Sequence, residues 1–147
     1  MNRVAIAVSR FNEEITSRLL ENCLKRLERG GIARETVRVV SVPGGYELPW
    51  TVNELAQSSR FDCVIALGCI LKGSTPQNEH IARSTVQHLH GIQLATRVPV
   101  ILGVITPNNH AQAVARTKGE LDRGKESAEA ALEMLAVRAK LKEVCGG

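Results

Sequence analysis

Four short apolar runs, rich in β-branched residues, alternate with longer stretches whose apolar residues recur at helical spacing. This alternation, more than any other feature, limits what the chain can fold into. The runs are residues 3–8 (RVAIAV), 36–42 (TVRVVSV), 62–71 (DCVIALGCIL) and 98–105 (VPVILGVI). The third is apolar almost throughout, as a strand covered on both faces must be. Between the first two, Ile15, Leu19, Leu20, Cys23, Leu24 and Leu27 form one face of a helix over 13–29, which Gly30-Gly31 stops. A short helix is predicted over 47–58, irregular at its start because of Pro49. A long one runs over 75–96 with Pro76 in its first turn. A short helix near 110–117 and a final one over 125–142 follow. The order βαβαβαβαα predicts one three-layer α/β/α domain over 1–147, with a four-stranded parallel sheet in order 2-1-3-4 and right-handed crossovers.

Composition narrows the function classes. With 44% hydrophobic and 23% charged residues the chain is not disordered. Nineteen Lys and Arg against 15 Asp and Glu leave a formal charge of +4, too little and too evenly spread to call for nucleic acid. Only four aromatic residues occur, Phe11, Tyr46, Trp50 and Phe61, too few for a single-strand stacking platform. No apolar run reaches the roughly 20 residues of a membrane span, and the start has no signal-peptide pattern, so a cytoplasmic protein is expected. Of the four cysteines no pair has C-x-x-C spacing, and Cys63 and Cys69 sit about 20 Å apart in one extended strand. Reduced thiols, at least three of them in the core, and no metal site are expected.

In an open parallel sheet, ligands bind beyond the carboxyl ends of the strands. That rule selects Ser9–Asn12, Pro43–Glu47, Lys72–Gln77 and Thr106–His110. Lys72-Gly73-Ser74-Thr75 opens the long helix, where free N–H groups, hydroxyls and the lysine suit a phosphate; Ser74 or Thr75 suits a helix cap equally. Phe11 in its polar loop is either a stacking platform for a flat heterocycle or a staple against the first helix. The bent Pro43–Glu47 turn offers backbone groups to a ring edge and Glu47 to a hydroxyl or amine; an ordinary turn and helix start is the bland alternative. His88 and His90, two apart on a helix, are not a metal pair. Arg116, Lys118, Arg123 and Lys125 lie between the last two helices; a solvated loop is the bland reading, and it holds for Lys118 and Lys125.

At these loops the sequence resembles the lumazine synthase family of riboflavin biosynthesis along essentially its whole length. The matching stretches are VSRFNEEITSRLL (8–20), VPGGYELP (42–49), ALGCILKGST (66–75) and VPVILGVIT (98–106). The resemblance implies a flavodoxin-like subunit assembled into pentamers or multiples of them, with sites between neighbours. It implies condensation of 5-amino-6-(D-ribitylamino)uracil with 3,4-dihydroxy-2-butanone 4-phosphate, without metal or organic cofactor. By position, Phe11, with Asn12 beside it, would stack on the pyrimidine. Gly45, Tyr46 and Glu47 would hold the ribityl chain, and Cys69, Ile70 and Leu71 would line the ring site. Gly73, Ser74 and Thr75 would cradle phosphate, completed by Arg116, while Leu102 and Arg123 would come from the adjacent subunit.

Two departures stand out. Where the family has His and an aromatic residue after G-S-T-P, this chain has Gln77 and Asn78, and Leu102 stands where many members have Phe. Gln has no pKa near neutrality, so it cannot be a general base. Either His80, three residues beyond Gln77 and on the same helix face by i,i+3 spacing, carries protons, or substrate phosphate and water suffice. The departures also leave open a diverged paralogue with an altered substrate, or a non-catalytic flavin- or lumazine-binding oligomer.

Overall fold

The structure is a computed structural model that describes residues 2–73 and 76–146. Four parallel strands, β1 (Val4–Ser9), β2 (Arg38–Val42), β3 (Cys63–Cys69) and β4 (Val100–Ile105), form one sheet in the order β2-β1-β3-β4. Five helices connect and flank them: α1 (Glu13–Arg29), α2 (Leu48–Gln57), α3 (Pro76–Thr96), α4 (His110–Ala115) and α5 (Arg123–Val144). The predicted strand order and helix sequence are those observed.

The register explains the two cores. Ile6 lies beside Ile65, and Ala7 beside Ala66. Val4, Ile6, Val8, Ile65 and Leu67 thus share the face covered by α1 and α5, packed with Cys23, Leu24, Leu27, Ala128 and Ala131. Ala7, Val64, Ala66 and Val104 share the other face, under Leu48 and Val52 of α2 and Ala82 and Leu89 of α3. Every residue of β1 and β3 is buried, which is why those runs show no polar alternation. β2 differs: it is an edge strand, and of its five residues only Val42 is buried.

Boundaries shift for local reasons. The predicted strand over 36–42 begins at Arg38, because Arg34–Thr36 forms a 3-10 turn in which the Thr36 hydroxyl donates to the Ala33 carbonyl (2.7 Å). The strands predicted over 62–71 and 98–105 shorten to Cys63–Cys69 and Val100–Ile105, while the first runs over Val4–Ser9 instead of 3–8. The irregular start expected of the second helix is a 3-10 turn at Gly45–Glu47. α5 begins two residues before the predicted start, at Arg123, because Asp122 caps it, accepting from the N–H groups of Gly124 (3.0 Å) and Lys125 (3.1 Å). Gly124 then lies directly on α1: a Cβ there would meet the Leu19 backbone. No helix among the described residues is long and apolar enough to cross a membrane.

At the amino ends of the strands Asp62 joins three elements. Its carboxylate accepts from the Arg3 N–H (2.8 Å) and from Arg138 Nη1 of α5 (2.8 Å), and the Arg3 guanidinium stands 3.4 Å away. Burial alone would raise its pKa, but the Arg3 N–H and the two guanidiniums outweigh it and hold the carboxyl below its ordinary 3.8. A depressed native pKa stabilises the fold above the unfolded value, and the contribution disappears as pH falls through the native value. Asp62→Asn is therefore expected to cost about 1–3 kcal/mol at pH 7. The difference from wild type should shrink below pH 3.8, measured by urea denaturation across pH.

Candidate active site

The loops at the carboxyl ends of the strands are tied to one another by hydrogen bonds. The Phe11 N–H donates to the Pro43 carbonyl (2.9 Å), joining the loops after β1 and β2, and Arg10 Nη1 donates to the Ser41 hydroxyl of β2 (3.0 Å). Asn12, in the left-handed region at φ 64°, donates from Nδ2 to the Cys69 carbonyl (3.0 Å), joining β1 to β3. The Lys72 N–H donates to the Pro107 carbonyl (2.9 Å), joining β3 to β4. The Thr85 hydroxyl of α3 donates to the Gly45 carbonyl (3.3 Å).

These ties frame a cleft of about 400 Å³, within the usual range for a small-molecule site. A larger cavity, about 600 Å³, lies at the opposite end of the sheet, between the carboxyl-terminal parts of α3 and α5. Its lining is mainly apolar, with Gln93, Arg97, Arg138 and Lys142 among it, but it lies away from the strand carboxyl ends, where parallel sheets bind ligands, so the smaller cleft is the candidate.

One wall of the cleft is Phe11, 67% exposed, whose ring lies over Gly44: a Cβ on Gly44 would stand 2.5 Å from Phe11 Cδ2. The strip Cys69, Ile70 and Leu71 also lines the cleft. Gly45 meets Ile70 so closely that a Cβ would stand 2.7 Å from Cδ1, so glycine keeps the floor open. At the rim stand Tyr46, 73% exposed, and Glu47. The Gly44 N–H donates to Glu47 Oε1 (2.9 Å), which fixes the carboxylate and leaves Oε2 for a ligand hydroxyl. Gln77, Asn78 and Ile81 of α3 close the far side.

Phe11, Asn12, Gly45, Tyr46, Glu47, Cys69, Ile70, Leu71 and Gln77 are thus brought together as the sequence suggested. Ser74 and Thr75 lie outside the described residues, and Gly73 is exposed beside them. Leu102, 44% exposed, projects from edge strand β4 and does not line this cleft. Arg116 ends α4, half-buried and near enough to Cys69 to act on its thiol; Arg123 donates its N–H to the Arg116 carbonyl (2.8 Å). Neither arginine lines the cleft within one chain.

His80 is placed differently from the i,i+3 expectation. At about 100° per residue, Gln77, Ile81 and Asn78 span an arc of roughly 100°, and His80 lies about 60° beyond Gln77 on the far side. The structure accordingly lines the cleft with Gln77, Asn78 and Ile81, and leaves His80 exposed outside it. Gly44, Asn78 and Ile81 are lining residues that the sequence reading did not assign. The Pro-Gly-Gly turn and the i,i+4 partner of Gln77 were the available signals.

The family profile described as 6,7-dimethyl-8-ribityllumazine synthase matches residues 1–139. A 6,7-dimethyl-8-ribityllumazine synthase of Edwardsiella ictaluri (strain 93-146) is 44% identical over 142 residues, covering 95% of this chain and 91% of the relative. Another, from Protochlamydia amoebophila (strain UWE25), is 37% identical over 134 residues, covering 90% of this chain and 78% of the relative.

Burial pushes the Cys69 thiol up to about 11, opposed weakly by Arg116, and burial pushes Cys23 and Cys63 up to about 12. At pH 8 only about one Cys69 in a thousand is thiolate. Iodoacetamide at pH 8 is expected to label one thiol per folded chain, the exposed Cys145, and all four in denaturant, as mass spectrometry would show.

Proposed function

The chain belongs to the 6,7-dimethyl-8-ribityllumazine synthase family, and from that premise we propose how its cleft performs the family's condensation. The protein is a transferase of riboflavin biosynthesis that joins 5-amino-6-(D-ribitylamino)uracil to 3,4-dihydroxy-2-butanone 4-phosphate and releases phosphate and water. Identity of 37–44% over at least nine-tenths of the chain favours this activity over a diverged paralogue or a non-catalytic binder. The observation that carries the assignment of roles is the cleft at the strand carboxyl ends, with an aromatic wall, a backbone strip and an oriented carboxylate.

The pyrimidine lies between Phe11 and the strip Cys69–Leu71, with Asn12 fixing that strip. The ribityl chain runs past Gly45 and Tyr46 to Glu47, whose free oxygen accepts from a hydroxyl. Gly73, Ser74 and Thr75, at the amino end of α3, hold the phosphate with Arg116. Leu102 and Arg123 enter from a neighbouring subunit. The exposed aromatic wall and the bare edge strand β2 support a homo-oligomer, and the family points to a pentamer or a multiple of pentamers. Free thiols suit the cytoplasm.

The amine attacks the ketone and the carbinolamine loses water to an imine; loss of the proton on the adjacent hydroxyl-bearing carbon expels phosphate and leaves an enol, which tautomerises to a ketone that the second amine attacks, closing the ring with loss of water. Holding both reactants in contact removes up to about 7–11 kcal/mol of the barrier in favourable cases. Arg116 meets the charge of the departing phosphate. No histidine lines the cleft among the described residues, and Gln77 carries no titrating proton. Protons therefore move through the substrate phosphate and water, while Gln77 orients a reactant through its amide.

Steady-state assays of lumazine fluorescence test these roles. Phe11→Ala is expected to raise the pyrimidine KM about tenfold, as loss of a stacking wall does. Arg116→Ala should lower kcat about 100- to 1,000-fold. His80→Ala should change kcat less than about twofold; a loss of the order of 100-fold would restore His80 as the proton carrier. Light scattering of the purified protein reports the assembly, and a monomer active at full rate would exclude a shared site.

A further inference from the structure

Asn78 stands where the family resemblance leads one to expect an aromatic residue, and it makes a contact that a phenylalanine cannot. Its Nδ2 donates to the carbonyl of Leu71 at 2.7 Å, reaching back across the turn between β3 and α3. Asn78 is the third residue of α3, so it is past the cap position, and its amide serves the strip instead of the helix end. Asn12 makes the matching contact at the other end, from its Nδ2 to the Cys69 carbonyl (3.0 Å). On the opposite edge of the same strip, the Ile70 N–H donates to the Ile105 carbonyl and the Lys72 N–H to the Pro107 carbonyl, both at 2.9 Å. The three residues of the cleft's backbone wall are therefore clamped on both edges. Three of the four restraints come from other loops or from β4, and only Asn78 comes from the helix that carries the far side of the cleft.

We propose that Asn78 is a positioning residue that locks the Cys69–Leu71 wall to α3 and so sets the width of the slot for the flat pyrimidine. The inference rests on the assignment of that strip as the ring-binding wall. Leu71 is half-buried and begins the segment that leaves the sheet, so without Asn78 its carbonyl has no partner among the described residues, and the wall is pinned only at its β1 end and from β4. A wall free to shift still lets a bound pair of substrates react, but it holds the ring less tightly.

Two variants of similar size test this: Asn78→Leu removes the donor, and Asn78→Asp replaces it with an acceptor. Hydrogen exchange of the ligand-free protein should show the segment 70–73 exchanging about tenfold faster in both, the order expected from the loss of one local hydrogen bond. Titration calorimetry with 5-amino-6-(D-ribitylamino)uracil alone should give an affinity about tenfold weaker in both variants. The pyrimidine KM should rise in parallel, with kcat within about threefold and the affinity of Asn78→Leu for inorganic phosphate within about twofold of wild type. Unchanged exchange in the segment overturns the clamp, as does pyrimidine binding as tight as wild type in both variants. A fall in kcat at unchanged KM overturns the positioning role. If the wild-type chain does not bind the pyrimidine while exchange still responds to the substitutions, the ring-wall assignment fails and the clamp itself stands.

Discussion

A parallel sheet has no hairpins, and its central strands need cover on both faces; everything else in this protein follows from meeting that requirement. β1 and β3 are buried along their whole length, so each strand must be followed by a helix that crosses back over the sheet. The crossovers collect the loops after all four strands at one pole. There the backbone leaves the ladder, and its donors and acceptors must find other partners. They find them in each other: Phe11 with Pro43, Asn12 with Cys69, Lys72 with Pro107 and Thr85 with Gly45. The ties that satisfy the loops also give the cleft a fixed shape, so the requirement for burial at the centre of the sheet becomes preorganisation at its edge.

That preorganisation fits the chemistry. Imine formation, loss of phosphate and ring closure need two molecules held in register more than they need a strong base. The cleft supplies a ring wall, a backbone strip and a carboxylate held by the Gly44 N–H. Cys69, the one thiol in the cleft, has its pKa raised to about 11 by burial, so it serves as packing and not as a nucleophile. In the proposed function such a site would tolerate Gln77 in place of a titrating side chain, because the leaving phosphate would carry the protons.

Much of this was legible in the sequence, for identifiable reasons. The strand order followed from the alternation of apolar runs with helical periodicity, and the pole carrying the site followed from the sheet being parallel. Phe11, Glu47 and the Cys69–Leu71 strip lie in loops or at a strand end, where their positions depend on local chain direction. His80 lies outside the lining of the cleft, since i,i+3 spacing says only that two residues are neighbours on a helix surface. Which side of Gln77 faces the cleft depends on the rotation of α3, and that is set by Ala82 and Leu89 packing under the sheet. Asn78 was visible as a departure but not as a part of the site, since its partner, the Leu71 carbonyl, is a backbone atom in a loop whose path the side-chain pattern does not specify.

The protomer also shows what a single chain leaves undone. Phe11, Tyr46 and Trp50 are exposed, and Val39 and Val40 sit on an edge strand with neither face covered, a surface that natural proteins seldom leave to solvent. On the other edge Leu102 projects outward, while Arg116 and Arg123, joined by a backbone hydrogen bond, lie outside the lining of the cleft. The two edges of one sheet are different surfaces, so a contact between β2 of one chain and β4 of the next is head-to-tail, and such contacts close into rings when the rotation permits. If the proposed pocket is shared, the surface each chain must cover for solubility is also the one that would carry Leu102 and Arg123 to its neighbour's cleft. Assembly and catalysis would then draw on the same contacts, and a change that weakened such a ring would remove activity along with it.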